Sequence, residues 1–314
     1  MFYARKPRPT KPNPTPHTAR NIPRLSEQQV DDILALLDAN PYSSVDDVYY
    51  NAYNHGLYIA SLSSFYRTAR QHQRLLKQRS HTRRRNNTKR GRTTPPHVIA
   101  TAPGQVLCWD ITFLPGPCIS QNYACLTVID LYSRAVVGTS ITPREQTRAA
   151  TELFTRILSQ YPDVHTVHSD NGPSMTSTTI AELFHSRGIT QSFSRPHTSN
   201  DNPHMESLFH TMKGSPYYPP VFASIDHATN WVSTFTTNYN SRPNSAINYY
   251  TPQSVLDGTW RTLQTSRHHA IQDALEEGRI HTPPKTPTGL PREVTIIRTT
   301  TTTHPSPQPL TTNP

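Results

Sequence analysis

Three β-rich runs followed by alternating helical and strand patterns place the middle of this 314-residue chain in the α/β class, as a mixed five-stranded sheet with flanking helices. Short amphipathic patterns ahead of it predict a small all-α helix-turn-helix domain, and a Pro/Thr-rich stretch at the end predicts a disordered tail. The divisions are a disordered basic, Pro-rich arm over 1–24, the helix-turn-helix domain over 25–76, a basic linker over 77–97, the α/β core over 98–262, and an extension over 263–314 that is largely tail.

The arm, MFYARKPRPTKPNPTPHTARNIPR, has no apolar periodicity. Ser26 and Gln29 then form a capping box, and Val30, Ile33, Leu34 and Leu37 keep helical spacing until Pro41. A second helix starts near Val45, places Val48, Tyr49 and Ala52 on one face, and stops at Gly56. A third follows Ser61. It buries Leu62, Phe65, Tyr66 and Ala69 and turns Ser63, Ser64, Arg67, Arg70 and Arg74 outward. Two short helices in tight succession, the second with a Ser/Arg face, fit a helix-turn-helix whose second helix enters the major groove. An ordinary three-helix bundle with a solvated face accounts for the same periodicity. The charge pattern tips the balance: no Asp or Glu occurs between Val48 and Trp109, while Arg67, Arg70, Arg74, Arg83, Arg84, Arg85 and further Lys and Arg accumulate. The polar part of that run, KQRSHTRRRNNTKRGRTTPP, reads as an arm that tracks phosphates.

Beyond it, residues 105–114, 123–133 and 134–142 are strand-like. A helix over 146–160, the strand DVHTVHS, a helix from Ser177 to Arg187, the short strand ITQSF and a helix from Pro203 follow. That last helix has Asn202 as N-cap, Pro203 at its first position and Gly214 as its stop. Its apolar face is Met205, Leu208, Phe209 and Met212, which leaves Glu206, His210 and Lys213 on a neighbouring stripe. One more long helix is marked by Ile225, Ala228, Val232, Phe235 and Tyr239, and after about 280 at most one short strand, EVTIIRT, is expected.

A net charge of +10 points to a polyanion as partner, with nucleic acid first. No apolar run is long enough to span a membrane, so a membrane is not expected as a partner. Cys108, Cys118 and Cys125 lack the spacing of a zinc site and read as packing residues in a reducing compartment.

Four acids sit at the ends of core elements: Asp110, Asp130, Asp170 and Glu206. Taken singly, each is the ordinary kind of turn cap or salt-bridge partner. Two adjacent strands could nevertheless join Asp110 to Asp170, and the helix from Pro203 could lay Glu206 over the same edge. Three carboxylates without soft ligands suit Mg²⁺ or Mn²⁺, and two such ions flanking a phosphate would support in-line phosphoryl transfer.

The stretches WDIT, YACLTVIDLYSRAVVG, HSDNGP, SRPHTSNDNPHMESLFHTMKG and YNSRPNSAINYYTPQSVL carry a resemblance. They resemble bacterial insertion-sequence transposases of the second-frame type, whose catalytic core is shared with retroviral integrases: the Asp, Asp, Glu family, with an RNase H-like fold. Thirty-five residues separate Asp170 from Glu206, as the signature of that family requires. The resemblance covers residues 100–258 and, more loosely, 26–75. It implies that Asp110, Asp170 and Glu206 are catalytic, metal-binding acids for DNA cleavage and strand transfer, and that Lys213 touches the transposon end. Asp130 and Arg134 match a hairpin motif of the family and read as structural.

Terminal inverted repeats would be bound through Ser63, Ser64, Arg67, Arg70, Arg74 and the arm with Arg83, Arg84 and Arg85. The resemblance further implies transposon-end and target DNA as partners, a homo-oligomeric synaptic complex, a possible upstream-frame fusion partner, and a cytoplasmic, nucleoid-associated bacterial location. Two departures stand out. No His/His/Cys/Cys zinc module precedes the core, and KGSPYYPP follows Glu206's helix where many relatives place an acid. A decayed or domesticated relative that only binds DNA is the alternative, and the intact acids and their spacing argue against it.

Overall fold

A serine opens each of the first three helices. In a computed structural model that describes residues 25–75, 97–194, 202–284 and 289–297, Ser26, Ser44 and Ser61 each accept a backbone N–H three residues on. These bonds satisfy otherwise orphaned donors and set the starts of α1 (Glu27–Ala39), α2 (Val45–Asn54) and α3 (Leu62–Gln71). Gly56, at φ +86°, turns the chain out of α2 as its sequence position suggests. The three helices share a core of Ile33, Leu37, Val48, Tyr49, Tyr53, Phe65 and Ala69. The basic arm and almost all of the linker lie outside the described residues.

The main sheet is built on β2 (Val106–Pro115) and β3 (Asn122–Asp130), an antiparallel pair of near-continuous apolar runs. Runs of that kind are buried on both faces. From β2, Cys108 and Leu114 enter one core while Leu107 and Trp109 enter the other. β4 (Val136–Thr142) extends the antiparallel side; β5 (Thr166–Ser169) and β6 (Thr190–Phe193) pair in parallel on the other. The resulting order is β4-β3-β2-β5-β6, the mixed five-stranded sheet expected. α4 (Thr147–Gln160) and α5 (Thr178–Ser186) cover one face; α6 (Pro203–Lys213) and α7 (Ile225–Ser241) cover the other. Cys108 and Cys125 are buried packing residues, but Cys118, in the β2–β3 loop, is exposed, which corrects its reading as a packing residue.

One side chain covers the start of edge strand β4. The buried Asn240 of α7 accepts from Val136 N–H at 2.9 Å and donates to Val136 O at 3.0 Å, doing for that one residue what a neighbouring strand would do. Asn240→Ala strands both backbone groups away from water, and the expected cost is about 2–4 kcal/mol, read as a lower midpoint in urea unfolding.

The end of the chain departs from expectation. After α8 (Pro252–Leu256), residues Trp260–Glu276 form a 17-residue helix, α9, that runs from the end of the core division into the extension read as largely tail. Ala270, Ile271 and Ala274 complete the core of α1–α3. Arg267, only 3% exposed, projects from the same helix. Its Nε donates to Asn54 Oδ1 (2.7 Å), Nη1 to Asn248 O (3.0 Å) and Nη2 to Tyr249 O (2.8 Å), and its guanidinium lies 4.0 Å from the centre of the Tyr250 ring. One buried cation therefore joins α2, α9 and the segment that follows α7. A two-stranded antiparallel pair, β1 (His97–Ala100) with β7 (Val294–Ile297), adds Val98, Ala100, Val294 and Ile296 to the core beneath α6 and α7.

Candidate active site

Strand register decides where the acids go. β2 and β5 run parallel, and their last paired residues are Trp109 and Ser169. Asp110 and Asp170 are the next residues on each strand line, so they share one edge. Side chains alternate along a strand, and Cys108 and Leu114 face α6; Asp110, in phase with them, faces α6 too.

α6 brings the third acid. Met205, Leu208, Phe209 and Met212 are buried against the sheet, which leaves Glu206 exposed on the first turn. Asn202 stands at the N-cap position but makes no capping bond. Instead its Nδ2 donates to Trp109 O at 3.3 Å, one residue before Asp110. Glu206 lies four residues after Asn202, one helical turn on, so that tether hangs it above the Asp110 edge.

The electrostatics report the same proximity. Burial pushes the Asp110 carboxyl up to about 7; the Ile111 N–H, donating to Oδ1 at 2.7 Å, opposes the rise, while Asp170, Glu206 and Glu145 add to it. Burial and Asp170 raise Glu206 as well. Asp170 is held by Ser194, whose Oγ donates to its Oδ1. Mutually repelling carboxylates with all-oxygen donors fit a hard divalent cation, which would convert that repulsion into attraction. Among the described residues no three His, Cys, Asp or Glu side chains are placed so as to hold a metal ion as they stand, so the fit rests on donor chemistry and shared orientation.

The other sequence candidates separate. Asp130 is fully buried, and it accepts from Gly104 N–H (2.8 Å) and Ser133 N–H (2.6 Å) to close the turn into β4. Arg134, at φ +68°, is buried in the same turn. Lys213 is exposed in the last turn of α6. On α3, Ser63, Arg67 and Arg70 are exposed. Ser64 is not: it is 6% exposed, and its Oγ accepts from Arg67 Nη2 at 3.0 Å, which corrects its place on the outward face. Arg74 is exposed too, but lies beyond the helix. α3 ends at Gln71, and Arg74 pairs with Asp38 of α1 at 2.5 Å. Arg83, Arg84 and Arg85 lie outside the described residues. Glu145, Ser194 and Asn202 were missed as neighbours of the acids; only Asn202, four positions before Glu206, carried a spacing that could have found it.

Residues 100–199 and 187–252 both match the family described as Integrase core domain. Residues 100–252 thus carry an integrase core domain, and the chain is similar to insertion-sequence transposases. It is 29% identical over 177 residues to the transposase for insertion sequence element IS904 of Lactococcus lactis subsp. lactis, covering 53% of this chain and 69% of that one. It is 32% identical over 117 residues to transposase InsF for insertion sequence IS3A of Escherichia coli, covering 36% of this chain and 40% of that relative. A 31.7 kDa protein of insertion element IS407 from Burkholderia multivorans is 24% identical over 187 residues, 56% of this chain and 61% of its own length. Among solved structures, the catalytic core domain of BIV integrase aligns at 19% identity with a TM-score of 0.39, covering 51% of this chain and 97% of that chain. No helix among the described residues is long and apolar enough to cross a membrane.

Proposed function

We propose that this chain is a transposase that cleaves DNA at the ends of an insertion sequence and joins the freed 3′-hydroxyls to target DNA, with Asp110, Asp170 and Glu206 as its catalytic acids. The observation that carries this reading is their common orientation: two adjacent strand ends and the first turn of α6 turn acids toward one edge of an integrase core. The three acids would hold Mg²⁺ or Mn²⁺, two ions in all. Bound there, the ions supply charge to the attacking and leaving oxygens of an in-line phosphoryl displacement.

The chain's own part is positional. β2 and β5 fix the separation of Asp110 and Asp170, and the Asn202 amide fixes the approach of α6. Lys213, two turns after Glu206 on the same stripe, binds the DNA end, and Ser63, Arg67 and Arg70 of α3 contact the terminal repeats in a helix-turn-helix mode, with the basic linker following the phosphates. Two DNA ends call for a homo-oligomer, and the protein acts at the bacterial nucleoid, alone or fused to an upstream frame.

A strand-transfer assay tests the reading. With the element's terminal sequence pre-cut to expose its 3′-hydroxyl, joined product is expected only with Mg²⁺ or Mn²⁺ and only when Glu206 is intact. Equal product from Glu206→Gln would remove Glu206 from the chemistry, and DNA that is bound yet never joined would favour a DNA-binding relative without activity.

A further inference from the structure

Asp170 sits on a loop, so its position depends on what holds that loop. Asn171, Gly172, Pro173 and Ser174 carry the chain from β5 toward α5. One side is held through Ser194, whose carbonyl accepts from Asn171 Nδ2 at 2.6 Å and whose hydroxyl reaches Asp170. The other side is held by Glu145. This residue lies between β4 and α4, and its Oε1 accepts the Ser174 N–H at 3.0 Å. Ser174 is 3% exposed, so its N–H has no water to replace that partner.

The carboxylate is not explained by the start of α4. Glu145 precedes Gln146, the N-cap residue, which makes no capping bond, and the hydrogen bond that Glu145 accepts comes from the Asp170 loop. The same side chain is near enough to Asp110 to act on it alongside Asp170 and Glu206.

We propose that Glu145 is a positioning residue: by accepting the Ser174 N–H it fixes the loop that presents Asp170 beside Asp110 and Glu206, and so sets the affinity of those acids for a divalent cation. This rests on the reading of the three acids as cation ligands. Residues that orient metal-binding groups at one remove commonly govern affinity by such contacts.

The test is Mn²⁺ binding by the full chain without DNA, followed through the paramagnetic resonance signal of free Mn²⁺. Glu145→Ala is expected to weaken binding roughly tenfold, and Glu145→Gln, which keeps an acceptor for Ser174 N–H, to stay within about twofold of the unaltered protein. Unchanged binding by Glu145→Ala overturns the proposal. So do equal losses in both variants, because charge rather than the hydrogen bond would then set the affinity. If Glu145→Ala does not fold, the Gln variant decides alone: near-normal affinity supports the proposal and a tenfold loss overturns it. Asp170→Asn tests the underlying reading separately. Should it bind Mn²⁺ as tightly as the unaltered protein, the cation reading of the acids fails and takes the role of Glu145 with it.

Discussion

Asp170→Asn is expected to lower DNA cleavage and joining about a thousandfold or more, which corresponds to about 4 kcal/mol of transition-state stabilisation, while DNA binding stays near its original affinity. Asn has the shape of Asp and keeps an oxygen to accept from Ser194 Oγ, so the loop retains that partner. What is lost is one of three negative charges at the sheet edge. Binding survives because the exposed Ser63, Arg67 and Arg70 belong to α3, in a different core from β5. Cleavage assays paired with mobility shifts across a salt series check both halves. The dependence of affinity on salt should be unchanged, since no phosphate contact is removed. A variant that loses binding together with cleavage would count against separate binding and chemical surfaces.

Arg267→Ala is expected to destabilise the protein by about 3–5 kcal/mol, lowering the melting temperature on the order of 10 °C. The guanidinium satisfies Asn54 Oδ1 and the carbonyls of Asn248 and Tyr249 at once, and no carboxylate shares the load. Alanine removes that donor from Asn54 Oδ1 and Asn248 O, leaves Tyr249 O with Asn54 Nδ2, and opens space against Tyr250. Arg267→Lys should recover less than half of the loss, because one ammonium cannot fork to three acceptors in fixed directions. Calorimetry on the full chain decides it; a melting temperature unchanged in the alanine variant would show that α9 is held by its apolar face alone.

The same residue shows where the sequence was legible and where it was not. Strands and helices over 105–241 announce themselves because apolar side chains recur with the period of the element, and the first three helices because serine caps write their starts in single residues. From sequence, Asp110 and Asp170 stood only at the ends of two strands that could be neighbours; the parallel register of β2 and β5 is what supplies that neighbourhood. α9 gave no such signal: its buried positions are Ala270, Ile271, Ala274 and Arg267, two of them minimal in size and one charged. Side-chain destinations were the other blind spot. Asn202 occupies an N-cap position, and only the packed structure shows its amide turned to Trp109 O. Ser64 looked outward by helical spacing, but it is buried and its hydroxyl accepts from Arg67; Arg74 does stay exposed, past the end of the helix, beside Asp38.

The junction at Arg267 also sets an order of events during synthesis. Asn54 and Arg267 are 213 positions apart, and Asn54 also donates to Tyr249 O, 195 positions away. At roughly 5–20 residues per second, about 10–40 s pass between the emergence of α2 and that of the arginine that seats it. Throughout that interval the N-terminal helices lack the apolar face of α9, and closing so long a loop is slow. The helices made first are therefore among the last parts of the molecule to reach their final packing.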